Sequence, residues 1–237
     1  MKEGLRCAYQ VDRLAYMPSR TPTSDLRRRL VGIAAEQAGY FSSEQAVAAG
    51  YADPNFGRNV AAGLWERAGR GIYRLAGWPY EPWEDYAYWS LWSDRRGVLS
   101  HQSAIAYWGI GLLQPVAGVD LTVPSDFRRT PQTGAEGVPG SVVLHRGVVG
   151  GEDRRQERGF AVTSPVRTVV DLAGIVDGDH LARTIADGVR RKVLDLDTLR
   201  AAAFRAGGST WAAVEAAGDE VGAQLRVEVD HLELSVG

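Results

Sequence analysis

The chain holds one cysteine, Cys7, which excludes an internal disulfide and a cysteine-built zinc site. Its four histidines, His101, His145, His180 and His231, lie far apart, with none of the close spacings of a metal-ligand pair. Nowhere does an apolar run approach the roughly 20 residues that span a bilayer. Near the N-terminus, polar and charged residues interrupt any apolar stretch of the kind a secretory signal needs. A cytoplasmic chain is therefore expected. Lysine is almost missing, with Lys2 and Lys192 alone, so the cationic work falls on arginine.

What remains is an ordinary globular composition, 45% hydrophobic and 24% charged over 237 residues, enough for one large or two modest domains. The net charge of −2 conceals an asymmetry. Residues 1–75 carry 11 Lys+Arg against 7 Asp+Glu, while residues 76–237 carry 16 against 22. A basic front suits an anionic partner.

Residues 1–24, with Pro18 and Pro22, read as a flexible leader. A helical period then begins at Asp25 (Leu26, Leu30, Ile33, Ala34), capped by Ser24 or Asp25 and stopped at Gly39. Ser42-Ser43-Glu44-Gln45 forms a capping box behind Phe41, and Gly50 ends the short alanine-rich helix that follows. A third helix is expected from Asp53-Pro54, with Asp53 as N-cap and proline in the first turn. Its wheel gathers Phe56, Val60 and Leu64 on a packing face and Asn55, Arg58 and Asn59 on the other. Amide and guanidinium groups pair bidentately with adenine and guanine edges, so these three are the candidate base contacts.

Two strand-like runs, from Trp65 and from Ile72, flank Gly69-Arg70-Gly71 and read as a hairpin. Arg70 sits at its tip. Arg67 and Arg74 lie on its arms, where either could instead pair with Glu66. Together with Arg28 on the first helix they are the candidate phosphate contacts. Residues 25–78 thus read as a winged helix-turn-helix domain that binds double-stranded DNA.

Past Gly77-Trp78-Pro79 the chain turns aromatic, with five tryptophans and four tyrosines up to Trp108 that suit a core better than a stacking surface. Helices are expected over Glu84–Trp92, from Ser100, and over 166–173, 179–192 and 197–206. Strands are expected near 119–123, 141–145 and 159–162. The last stretch, 224–236, reads as a strand or a frayed tail. The fold class is α+β, a winged unit followed by a larger mixed α/β domain over 79–237. His101, next to the N-cap Ser100, suits packing better than catalysis. Arg167 and Asp171, four apart, suit a salt bridge.

Gly39-Tyr40-Phe41-Ser42, Gln45-Ala46, Ala49-Gly50-Tyr51 and Arg70-Gly71-Ile72-Tyr73-Arg74-Leu75 resemble, in order, the N-terminal domain of the AbiEi antitoxin family. Leu99-Ser100-His101-Gln102-Ser103-Ala104, Leu121-Thr122-Val123-Pro124, Leu144-His145 and the run Thr163 to Ala173 extend the resemblance to about residue 200. It implies a bacterial transcriptional repressor that binds inverted repeats in its own promoter, with possible self-association on that DNA. It also implies an antitoxin that counteracts a nucleotidyltransferase-like toxin, often without a stable complex. No cofactor, metal or catalytic residue is expected. A different class of function, a metal-dependent nuclease, would need the C-terminal carboxylates Asp219, Glu220, Glu228, Asp230 and Glu233, but no lysine follows Lys192 to complete such a site. A third possibility is a winged module that binds a protein partner.

Overall fold

The structure is a computed structural model that describes residues 23–111, 118–131, 134 and 137–236, of which 224–236 are described as helix alone. The expected leader therefore lies, up to residue 22, outside the described residues.

Helix α1 (Thr23–Ala35) starts slightly earlier than the cap candidates Ser24 and Asp25 suggested and buries Leu30 and Ala34. It ends in a turn with Ala38 and Gly39 at positive φ, where the Gly39 amide donates to the Ala34 carbonyl at 2.8 Å. Strand β1 (Tyr40–Ser42) follows, too short to announce itself in the sequence. Helix α2 (Ser43–Ala49) begins on the complete capping box. The Ser42 hydroxyl accepts from the Gln45 amide at 3.2 Å, and the Gln45 side chain accepts from the Ser42 amide at 2.8 Å. Gly50, at φ 106°, closes it.

Helix α3 (Pro54–Ala61) has proline in its first turn, but the expected Asp53 cap is not made. Asp53 is itself helical in conformation. Backbone bonds from Asn55 to the Ala52 carbonyl and from Phe56 to the Asp53 carbonyl close that turn instead. Leu64 is a second correction: the helix ends before it, and the side chain is 53% exposed rather than packed.

Strands β2 (Trp65–Gly69) and β3 (Ile72–Leu75) form the hairpin, with a register shift between Arg67 and Gly69 and Gly71 at φ 72° in the turn. The three strands lie in the order β1-β3-β2, all antiparallel. Period-2 alternation sends Phe41, Trp65 and Tyr73 to one face, against Leu30, Ala46 and Phe56. Tyr40, Ala68 and Ile72 point the other way, into a core shared with Tyr88, Trp89 and Leu99 of the second domain. Both faces of the winged sheet are thus buried.

The second domain opens with α4 (Glu84–Trp92), β4 (Val98–Leu99) and α5 (His101–Trp108), and continues with β5 (Val119–Val123), β6 (Val142–Arg146), β7 (Arg154–Gln156) and β8 (Ala161–Thr163). Its sheet has the order β6-β5-β4-β8-β7, with β5/β6 and β4/β8 parallel and the other pairs antiparallel. The aromatic run supplies much of the core on that sheet, Tyr80 excepted at 76% exposure.

Helices α6 (Pro165–Leu172), α7 (Gly178–Arg190), α8 (Leu196–Ala206) and α9 (Gly208–Val236) build a further core from Leu172, Ile185, Leu199 and Val214. The terminal stretch is therefore helix, not strand or tail. Gly207 at φ 71° ends α8, and α9 then lays Val214, Ala217 and Val221 into this core. Spacings of three and four residues hold one helical face.

Candidate nucleic-acid interface

Arg58 is exposed on α3 and makes no ion pair among the described residues. Around it the helix surface is small: Gly57, Ala61 and Ala62 are exposed, and a side chain at Gly57 would meet open space. A cation on a bare helix surface can approach another molecule closely. Asn55 is half-buried in the first turn.

Asn59 departs from its expected place. It is half-buried and lines a cavity of about 360 Å³ between α1, α3 and the base of the hairpin, beside Arg27, Tyr51, Trp65 and Trp78. Its Nδ2 is buried without a partner. On the wheel Asn59 lies only about 60° from Phe56, at roughly 100° per residue, so it is drawn toward the packed side.

Arg74 departs further. Its guanidinium pairs with Glu84 of α4 at 2.6 Å, with both side chains less than one-fifth exposed. It also donates to the Ala38 and Pro79 carbonyls at 3.3 Å each and lies over the Tyr40 ring at 5.3 Å. All of these contacts tie β3 to the chain before and after it. Arg74 is a clamp between the winged unit and the second domain, and Glu66 is not its partner.

The other candidates stay at the surface. Arg67 is exposed on β2 and, with Val60 and Gly63 from the end of α3, borders an open groove of about 740 Å³. Arg70 is exposed in the hairpin turn, which is pinned because the Ser43 amide donates to the Gly71 carbonyl at 2.8 Å. Arg28 is 81% exposed and pairs with Asp25 at 3.0 Å. The hairpin is embedded rather than free. A Cβ on Gly69 would stand 2.6 Å from the Tyr88 hydroxyl, and one on Gly137 would stand 2.7 Å from the Arg67 carbonyl.

Two arginines of the second domain, Arg95 and Arg129, line a cleft of about 240 Å³ with Arg70 and the start of α2. Nothing in the sequence separated them from other surface arginines. Arg129 pairs with Asp94 at 2.9 Å.

A polar network in the second domain was equally hidden. The His101 and His145 rings stack with centroids 3.6 Å apart. His145 contacts Asp120 at 2.8 Å, while the Ser100 hydroxyl meets His101 Nδ1 at 2.8 Å and accepts from Thr122 at 2.9 Å. Ser100 stands in the N-cap position of α5 but spends its hydroxyl here and caps no amide. Burial, then the neighbouring His145, push the His101 pKa down to about 4, with Asp120 opposing and Arg167 adding to the fall. Rings stacked this closely cannot flank a reacting group from opposite sides, and Ser100 is fully buried. His101 is 8% exposed, packed against His145. Arg167 pairs with Asp171 at 2.7 Å and with Asp153 at 3.0 Å.

Among the described residues no three potential metal ligands converge, and no helix is long and apolar enough to cross a membrane. Of the C-terminal carboxylates, Asp219 is held by Arg200 at 2.6 Å and Glu220 is also engaged. The side chains of Glu228, Asp230 and Glu233 lie outside the described residues.

The fold is similar to that of the RV2827C protein from Mycobacterium tuberculosis, with a TM-score of 0.54 over 86% of this chain and 79% of that one, at 15% identity. At that identity the likeness is one of fold. No curated protein matches the chain in sequence. Residues 28–76, however, match the family model described as a transcriptional regulator, AbiEi antitoxin. That match runs from within α1 to the end of the hairpin, so the winged unit is similar in sequence to the AbiEi antitoxin regulators.

Proposed function

We propose that this protein is a DNA-binding transcriptional regulator and antitoxin that represses its own operon, with α3 in the major groove of an operator. The observation that carries this is Arg58, an unpaired guanidinium on a helix surface of glycine and alanine, within a winged unit whose sequence matches antitoxin regulators. Arg58 and Asn55 contact bases. Arg67, Arg70 and Arg28 contact phosphates, and their positions at the groove edge, in the pinned hairpin turn and on α1 support that role. Asn59 and Arg74 are left out because Asn59 is turned toward the cavity beside Trp65 and Arg74 is paired with Glu84. By family likeness, the second domain serves toxin neutralisation or self-association, and the toxin is of the nucleotidyltransferase class.

Fluorescence anisotropy with duplexes from the protein's own promoter tests the DNA assignment. Arg58→Ala is expected to relax discrimination at one base position, at about 1–3 kcal/mol. Arg70→Ala is expected to weaken all duplexes alike and to lower the salt slope by about 1. Binding unchanged in both variants would remove the residue assignment.

A further inference from the structure

We infer that the seam between the winged unit and the second domain is a binding site for a small phosphorylated metabolite. The seam encloses a cleft of about 410 Å³. Gln37 and Gln45 line it from the winged unit, and Ser90, Arg95 and Arg154 line it from the second domain. Gln37 and Ser90 are 1% and 2% exposed, so the cleft has a built polar floor.

Its cations lack counter-charges. Arg95 donates to the neutral Gln37 side-chain carbonyl, and Arg154 donates to the Arg95 backbone carbonyl at 3.4 Å. Among the described residues neither makes an ion pair with a carboxylate, although the exposed Glu36 also lines the cleft. Both side chains line the same cleft, and two like charges there favour an anion. Their forked donors fit phosphate oxygens in a bidentate manner.

Arg95 is also held at a conformational cost. It and Asp94 have φ of 59° and 53°, the left-handed turn that closes α4, where glycine is the cheap choice. Keeping two side chains there points to use of the Arg95 guanidinium. A floor of buried Gln37 and Ser90 suits a small ligand better than the phosphates of a duplex.

The site is wired to the helix-turn-helix. Gln37 and Gln45 exchange amide hydrogen bonds at 3.1 and 3.3 Å, and Gln45 completes the capping box of α2. A ligand that draws Arg95 away from Gln37 therefore acts on the residue that completes the cap of α2.

The test is a thermal unfolding titration of the full chain with inorganic phosphate, and separately with a nucleoside monophosphate, at ionic strength held constant with chloride. Wild type is expected to show a saturable rise in midpoint. The Arg95→Gln/Arg154→Gln pair is expected to lose at least about tenfold in apparent affinity, the equivalent of one strong charged contact. The distant Arg183→Gln is expected to respond as wild type does. Should the double variant fail to fold, Arg154→Gln alone carries the comparison. A wild-type response no larger than with chloride, or one retained by the arginine variants, overturns the site. Because the titration contains no DNA, its result is independent of whether the winged unit binds an operator.

Discussion

Replacing Arg74 with alanine separates the structural role found for it from the phosphate contact its place on the hairpin suggests. The variant loses an ion pair at 2.6 Å whose partners are 17% and 19% exposed, two bonds to main-chain carbonyls, and a contact over the Tyr40 ring. Breaking a fully buried pair from one side costs about 3–5 kcal/mol, and bonds to charged groups about 1.5–3 kcal/mol each. These groups keep some solvent, so the lower end applies, and we expect about 3 kcal/mol in all. Urea unfolding should show this as a lower midpoint with an unchanged slope. Glu84→Gln should cost less, and a cycle through both variants should return a coupling of about 1–2 kcal/mol. Measured where both proteins are folded, operator binding should keep its salt dependence, because no phosphate contact has been removed. A stability change under about 0.5 kcal/mol, together with a salt slope lowered by about 1, would refute this role and return Arg74 to the DNA surface.

Ser42→Ala removes one half of the capping box of α2 and should cost about 1 kcal/mol in urea unfolding, with no loss here placing the start of α2 elsewhere. Gly159→Ala should cost more than about 2 kcal/mol, since φ is 79° and the new Cβ would stand 2.4 Å from the Glu36 carbonyl. Gly57→Ala, in open space on α3, should instead stabilise by up to about 1 kcal/mol, and a loss would mean that its surface is occupied. His101 has a folded pKa near 4 against an ordinary value of 6.5, so the fold favours its neutral form. Its stabilisation is complete above about pH 6.5 and is lost as the pH falls toward 4, by roughly 2–3 kcal/mol in total. His101→Asn, which tolerates the φ of 50°, should flatten that stretch of the stability profile, and parallel profiles would exclude His101 as its source.

Local chemistry was the legible part of the sequence. The capping box, Gly50 as the stop of α2, the hairpin turn and the bounds of α4 all follow from residues within a few positions of one another. β1, β4 and β7, of two or three residues, show no alternation, whereas β8, equally short, is marked by the apolar run Phe160-Ala161-Val162. The helical wheel of α3 separated two faces but could not place Asn59, which lies at their border and is drawn inward by the cavity beside Trp65. Arg74 alternates correctly with Tyr73 and Leu75, yet its face meets another domain instead of solvent, and Glu84 reaches it only through a helix that folds back. His101 and His145 meet because β5 pairs in parallel with β6, which sets Thr122 opposite His145. No spacing in the sequence encodes that pairing.

The same two-sided burial changes what a boundary at residue 78 means. A winged unit joined by a linker would bury one face of its sheet on its own helices and leave the other to water. Here Tyr40, Ala68 and Ile72 share a core with Tyr88, Trp89 and Phe160, and Arg74 is fixed to Glu84. Trp78, at the expected domain boundary, packs so closely on Gly39 that a Cβ there would stand 2.4 Å from its ring. To turn independently, the winged unit would have to expose this apolar face, at roughly 25 cal/mol for each Å² uncovered. Residues 77–79 are therefore a seam, not a joint. An event in the second domain has to reach α3 through packed side chains and the Arg95–Gln37–Gln45 bonds. Weakening that seam should loosen both units together, which is why Arg74→Ala is expected to lower the stability of the whole chain in one transition.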